Sequence, residues 1–123
     1  MTIKIVVDGE PIPAARPRFG QGRAYQPPRN REYRDRIRSA ARAAMFEAAP
    51  LMCPLKANVK LYRHFQPTAR NFGDVDNHLK AIFDGLNGIC FGDDAQIVEV
   101  TAAKHTDKTN PRVEIELFPI DKN

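Results

Sequence analysis

The sequence predicts an α+β protein: one domain over residues 1–123, with a mixed sheet of about four strands and two helices in the order β-α-β-α-β-β. Three observations predict it. Short alternating runs rich in β-branched residues stand at both ends and in the middle of the chain, and two longer segments repeat apolar residues at helical spacing. A chain of 123 residues is also long enough for one core and too short for two well-packed ones. Hydrophobic residues at 42% and charged residues at 28% are the proportions of a globular chain, which excludes disorder as the working state.

The elements follow in order. Ile3–Val7 has strand propensity and ends at a Gly9 turn. Residues 10–30 read as an irregular loop, because Pro11, Pro13, Pro17, Pro27 and Pro28 interrupt regular structure. A helix is expected after Asn30, a good N-cap type, with Tyr33, Ile37, Ala40, Ala41, Ala44, Met45 and Ala48 on its apolar face and a stop before Pro50. Leu55–Phe65 reads as a central strand with Leu55, Ala57, Val59, Leu61 and Arg63 on one side. Val75–Asn87 reads as a second helix ended by Gly88, its stripe being Leu79, Ile82, Phe83 and Leu86. Ile97–Ala103 and Arg112–Ile120 suggest a closing pair of strands joined through 104–111.

Residues 1–7 turn polar at Asp8, so neither a signal-peptide apolar region nor a bilayer-spanning run is expected, and the cytoplasm is the expected compartment. Cys53 and Cys90 are too few for a disulfide scaffold, start no zinc motif, and read as ordinary buried thiols.

Charge distribution carries the functional signal. Net charge is +4, a modest hint of a polyanionic partner. From Arg16 to Arg42 stand Arg16, Arg18, Arg23, Arg29, Arg31, Arg34, Arg36, Arg38 and Arg42 against only Glu32 and Asp35. At about 100° per residue, Arg31, Arg34, Arg38 and Arg42 form a stripe beside the apolar face of the first helix, placed for phosphates or simply solvated. From Asp74 to Glu99 the sign reverses: Asp74, Asp76, Asp84, Asp93, Asp94 and Glu99 face only Lys80.

On a helix starting near Asp76, Lys80 and Asp84 follow along one edge, and Asp74 precedes it in the loop. Asp93 and Asp94 return to the same mouth if the third strand pairs beside the second. Two carboxylates ~4 Å apart repel by about 4 kcal/mol at an effective dielectric of 20, so such a cluster calls for a counter-charge. With Asp74, Asp76, Asp93 and Asp94 as oxygen ligands and no Cys or His at metal spacing, Mg²⁺ is favoured, with Mn²⁺ a substitute, in the chemistry of phosphodiester hydrolysis. Lys80 either holds a carboxylate or meets the scissile phosphate. The structural reading stands beside this one. Asp74 and Asp76 singly are ordinary helix-start acids, Asp93-Asp94 an ordinary turn, and Asp84 a partner for Lys80. His78 points away from both stripes and is expected exposed.

Other classes fail. Counted from Asp74, an EF-hand would need Gly where Leu79 stands and Glu where Gly85 stands. There is no phosphate-binding Gly-Lys-Ser/Thr loop, no dinucleotide glycine pattern, and the only serine, Ser39, lies mid-helix.

The combination Asp74-x-Asp76-Asn77-x-x-Lys80-x-x-x-Asp84-x-Leu86 followed by Asp93-Asp94-x-Gln96 resembles the signature of RusA-type Holliday junction resolvases. The resemblance extends to Pro13, Arg16, Pro17 and Arg18, to the Tyr33 helix and to the terminal strands. It implies a Mg²⁺-dependent homodimer that resolves four-way DNA junctions by paired nicks in recombination and repair, in a host or prophage setting. It also implies catalytic roles for Asp74, Asp76, Asp94 and Lys80, with Asp93 and Asp84 matching positions of looser role. The arginines Arg16, Arg18, Arg23, Arg29, Arg31, Arg34, Arg38 and Arg42 become the expected DNA contacts, sequence-independent and salt-sensitive. Two readings stay open beside it: a non-catalytic nucleic-acid-binding module, and a metal nuclease acting on other branched substrates.

Overall fold

A computed structural model describes residues 2–15, 18–20, 23–25 and 27–120. Its elements are β1 (Ile3–Asp8), β2 (Arg18–Gly20), β3 (Arg23–Tyr25), α1 (Pro28–Met45), β4 (Leu55–Arg63), α2 (Val75–Leu86), β5 (Ile97–Thr106) and β6 (Arg112–Pro119). The main sheet has the order β1-β6-β4-β5; β6 is antiparallel to both its neighbours, and β4 runs parallel to β5.

Alternation decides which face is buried. Ile3, Ile5 and Val7 of β1 stand opposite Leu117, Ile115 and Val113 of β6, which stand opposite Ala57, Val59 and Leu61 of β4. These residues form three apolar rows, all nearly inaccessible, and each large side chain so buried contributes about 1.5–3 kcal/mol. The rows are roofed by Tyr33, Ile37, Ala41 and Met45 of α1 and Ile82 and Leu86 of α2, with Phe72 and Phe91 closing the ends. The third row continues beyond Leu61 onto β5 at Lys104, so a cation sits where the pattern runs out of apolar residues.

The α+β class, the four-stranded mixed sheet and the two long helices agree with the sequence, and three details differ. First, the proline-rich segment holds a short hairpin, β2 paired with β3, where an irregular loop is expected. Second, α1 begins at Pro28, two residues before Asn30: proline has a preset φ and lacks an N–H that the first turn would leave unpaired. Asn30 is buried and its Nδ2 donates to Pro13 O at 3.1 Å, which ties the preceding loop to the helix. The helix ends at Phe46, in left-handed geometry at φ 50, ahead of Pro50. Third, β5 and β6 do not pair with each other. β4 lies between them, because its inward residues are fully buried and need cover on both edges, whereas β5 is exposed along its first half and takes the edge.

The β4–α2–β5 connection is a parallel crossover, so α2 runs back against both strands. Its first turn lies at the end where β4 and β5 finish, and its last turn lies where β5 begins. Of the thiols, Cys90 is buried and Cys53 half-buried, and both are free. Burial pushes the Cys90 thiol up to about 11, so it stays protonated. Among the described residues no helix is long and apolar enough to cross a membrane.

Candidate active site

α2 is preceded by its N-cap Asp74 and by Gly73, whose φ of +92° only glycine adopts without strain. A Cβ there would lie 2.9 Å from Pro13 Cγ and 3.0 Å from His78 Nε2, so the space excludes a side chain as well. Asp74 occupies the N-cap position with extended backbone, yet its carboxylate accepts no capping hydrogen bond. A structural helix-start aspartate uses its side chain to satisfy the free N–H groups of the first turn. That of Asp74 is exposed, with no hydrogen bond to a described residue. Asp76 stands in the first turn, and Asp76, Lys80 and Asp84 are all exposed along one edge of α2, opposite the buried His78, Ile82 and Gly85. The positive end of the helix dipole favours both carboxylates at this terminus.

His78 is buried, not exposed as expected. Two positions on from Asp76 the helix has turned by about 200°, and the 3-10 turn at Arg70–Phe72 covers that side. Its Nε2 lies 2.6 Å from Phe72 O, so Nε2 carries the proton and donates. Burial, with the nearby Arg63 and Lys104 charges against an opposing hydrogen bond, pulls the imidazole down to about 4, so it is neutral at ordinary pH. Its Nδ1 has no partner among the described residues.

Asp93 and Asp94 lie at the other end of the crossover. β5 does pair beside β4, the condition for their return, but the pairing is parallel and carries its start away from Asp74. From Ile97 to Lys104, whose Nζ donates to Gly73 O, is seven residues of strand, or roughly 23 Å. A single chain therefore brings Asp74, Asp76 and Lys80 together and leaves Asp93 and Asp94 apart. Among the described residues no three His, Cys, Asp or Glu side chains converge as a metal site. Asp93 accepts from Ala95 N at 3.3 Å as the cap of the turn at Asp94–Gln96. Gln96 pins that turn: its Oε1 accepts from Gly92 N and Asp93 N, and its Nε2 donates to Leu51 O and Cys53 O. The carboxylate of Asp94 is exposed, with no hydrogen bond to a described residue. In kind these donors fit a hard divalent cation, all being carboxylate oxygens; in number one chain falls short.

The arginines divide. Arg29, Arg31, Arg34 and Arg42 are exposed on α1 and make no side-chain hydrogen bond to a described residue. Arg38, expected as a DNA contact, is half-buried and donates Nη1 to Gly85 O and Asn87 O, both at 3.1 Å, so it satisfies carbonyls at the end of α2. Arg36 does similar work at the end of β1, reaching Asp8 O and Glu10 O. Arg16 and the side chains of Arg18 and Arg23 lie outside the described residues; the backbone of the last two belongs to the β2–β3 hairpin.

Sequence reasoning gave no role to Arg63, Lys104 or Gln96, although Arg63 stood on the inward side of the central strand and Gln96 in the signature. Arg63 carried a signal: an arginine at an inward position of an apolar strand must find partners for its charge. It finds Glu10, through Nε–Oε1 at 2.7 Å, and the carbonyls of Asn71 and Phe72.

Exposed aspartates around a lysine at a helix start, on a basic chain whose neighbouring helix presents exposed arginines, are the residue types that metal-assisted phosphodiester hydrolysis uses. Residues 8–118 match the family model described as endodeoxyribonuclease RusA, and the chain belongs to that family. By class it is a nuclease. It is also similar to the uncharacterized protein YqaN of Bacillus subtilis (strain 168), 27% identical over 134 positions that cover 92% of this chain and 93% of that protein.

Proposed function

We propose that the protein is a Mg²⁺-dependent, structure-selective endonuclease that resolves four-way DNA junctions by paired symmetric nicks, as a homodimer, in recombination and repair. The observation that carries the reading is the exposed, non-capping carboxylate of Asp74 beside Asp76 and Lys80, in a chain of this family. Asp74, Asp76 and Asp94 would hold the ion, with Asp93 beside them, and Mn²⁺ is an expected substitute. When bound, the ion supplies an activated water and stabilises the leaving oxygen. Lys80 meets the phosphate as its charge grows. Arg29, Arg31, Arg34 and Arg42 grip the backbone without reading sequence, as Arg16, Arg18 and Arg23 are proposed to do.

The separation of the acids supports the proposed dimer. β5 is an edge strand with Val98 64% and Val100 41% exposed. Two copies paired antiparallel along β5 set the start of one β5 opposite the end of the other. The partner's Asp94 then comes to this chain's Asp74 and Asp76, giving two sites related by a two-fold axis, as a junction requires.

The test is nicking of a labelled four-way junction in Mg²⁺, with EDTA and Asp76→Asn as controls and linear duplex as competitor. Paired cuts lost in both controls are expected. Binding without cutting in Mg²⁺ or Mn²⁺ would leave a binding module, and equal cutting of duplex or flap would leave a nuclease of other specificity. Mixing Asp76→Asn with Asp94→Asn, each inactive alone, should restore nicking of a single strand, because one of the two shared sites in the mixed dimer is intact. No recovery would place Asp94 in the same chain's site.

A further inference from the structure

The turn that delivers Asp74 is held by three side chains from three elements, all directed at consecutive carbonyls. Arg63, the last residue of β4, donates Nη1 to Asn71 O at 3.3 Å and Phe72 O at 2.8 Å. His78 of α2 donates to Phe72 O, and Lys104 of β5 donates Nζ to Gly73 O at 3.0 Å. Phe72, fully buried, lies beneath both cations, with Arg63 Cζ 5.9 Å and Lys104 Nζ 5.1 Å from the ring centre. The guanidinium is itself fixed from behind by Glu10.

Closing a sheet end does not call for this. The rows Val7–Val113–Leu61 and Ile5–Ile115–Val59 are apolar across β1, β6 and β4, and a buried arginine is costly unless every charge and donor is matched. Here Glu10 matches the charge of Arg63, and the arginine's remaining partners are the carbonyls of Asn71 and Phe72, while Lys104 takes Gly73 O directly ahead of Asp74. Gly73 adds to the constraint, since its left-handed φ and its contacts with Pro13 and His78 allow the chain one path into α2.

We infer that Lys104 and Arg63 are positioning residues of the nuclease site: by gripping the carbonyls of residues 71–73 they set the heading of Asp74 and Asp76. The inference rests on the proposed role of those two aspartates. Groups that orient metal-binding side chains change affinity by about 10–100-fold when removed, and this clamp acts through the backbone one residue away.

Lys104 is the residue to change, because it is only half-buried and Lys104→Met keeps the aliphatic stem over Phe72, whereas removing Arg63 strips the core of a charge whose partners stay behind. Mn²⁺ affinity of the DNA-free protein, read by electron paramagnetic resonance titration, would be measured for the parent, Lys104→Met, Lys104→Arg and Asp76→Asn. Thermal unfolding, junction binding in EDTA, and kcat and KM for nicking would be measured alongside. Lys104→Met should fold and bind junctions in EDTA as the parent does, lose Mn²⁺ affinity by about tenfold, and lose kcat with KM unchanged; Lys104→Arg should recover most of both. Unchanged Mn²⁺ affinity and kcat in Lys104→Met, with Asp76→Asn defective, overturns the positioning role alone. If Asp76→Asn also keeps Mn²⁺ binding and nicking, the function reading falls with it.

Discussion

Replacing Arg38 by alanine tests whether an arginine on a basic helix serves DNA or the fold. Its Nη1 bridges Gly85 O and Asn87 O at 3.1 Å each, at the end of α2, where Ile89 N and Cys90 N both turn to Leu86 O instead. A hydrogen bond to a charged group contributes about 1.5–3 kcal/mol net; because one nitrogen makes both contacts and the side chain is half-buried, the expected loss is roughly 1.5–2 kcal/mol. At this chain length that lowers Tm by roughly 5–8 °C. Arg34, one turn earlier and exposed, should behave in the opposite way. Arg34→Ala leaves Tm within about 1–2 °C and reduces the slope of log Kobs for DNA against log salt by about 0.9, one phosphate contact. Differential scanning calorimetry and salt-dependent fluorescence anisotropy read the two quantities on the same samples. An Arg38→Ala protein with an unchanged Tm and a reduced salt slope would refute the assignment and return Arg38 to the DNA surface.

Gly85→Ala improves helix propensity by about 1 kcal/mol, yet the new Cβ would lie 2.7 Å from Cγ2 of the fully buried Ile37, so overpacking of about 1–3 kcal/mol should make the variant less stable by roughly 1 kcal/mol. Adding Ile37→Leu, which moves the branch off Cβ, should recover part of that loss in urea unfolding; strict additivity of the two changes would sink the idea. The His78 imidazole, pulled from 6.5 down to about 4 by burial, refuses a proton that the unfolded chain accepts. Its contribution to stability is therefore complete above pH 6.5 and lost as pH falls from 6.5 to 4, by roughly 3 kcal/mol in all. In EDTA, the gap in unfolding free energy between the protein and His78→Gln should narrow over that window, and parallel pH curves for the two would contradict it.

Most of the secondary structure was legible in the chain because it is local. A period of two in Ile3–Val7 and Leu55–Arg63 and a period near 3.6 in the segments that become α1 and α2 depend only on neighbouring residues. The same locality placed Asp76, Lys80 and Asp84 on one edge and put Asp74 ahead of them. The Asp-x-Asp, Lys and Asp-Asp spacing was also enough to reach the family. Tertiary structure alone decided the rest. Whether β5 pairs with β6 or with β4 depends on how three separated strands share one buried face, which no single segment encodes. The parallel answer set Asp93 and Asp94 ahead of the start of β5, with roughly 23 Å of strand between Ile97 and the Lys104 that holds the turn before Asp74. Arg38 and Arg34 are alike in sequence and differ because only one reaches the open carbonyls of α2; His78 looked exposed until the 70–72 turn folded over it. A residue type and its helical angle are local properties, whereas its partner is chosen by the packing of segments far apart in the chain.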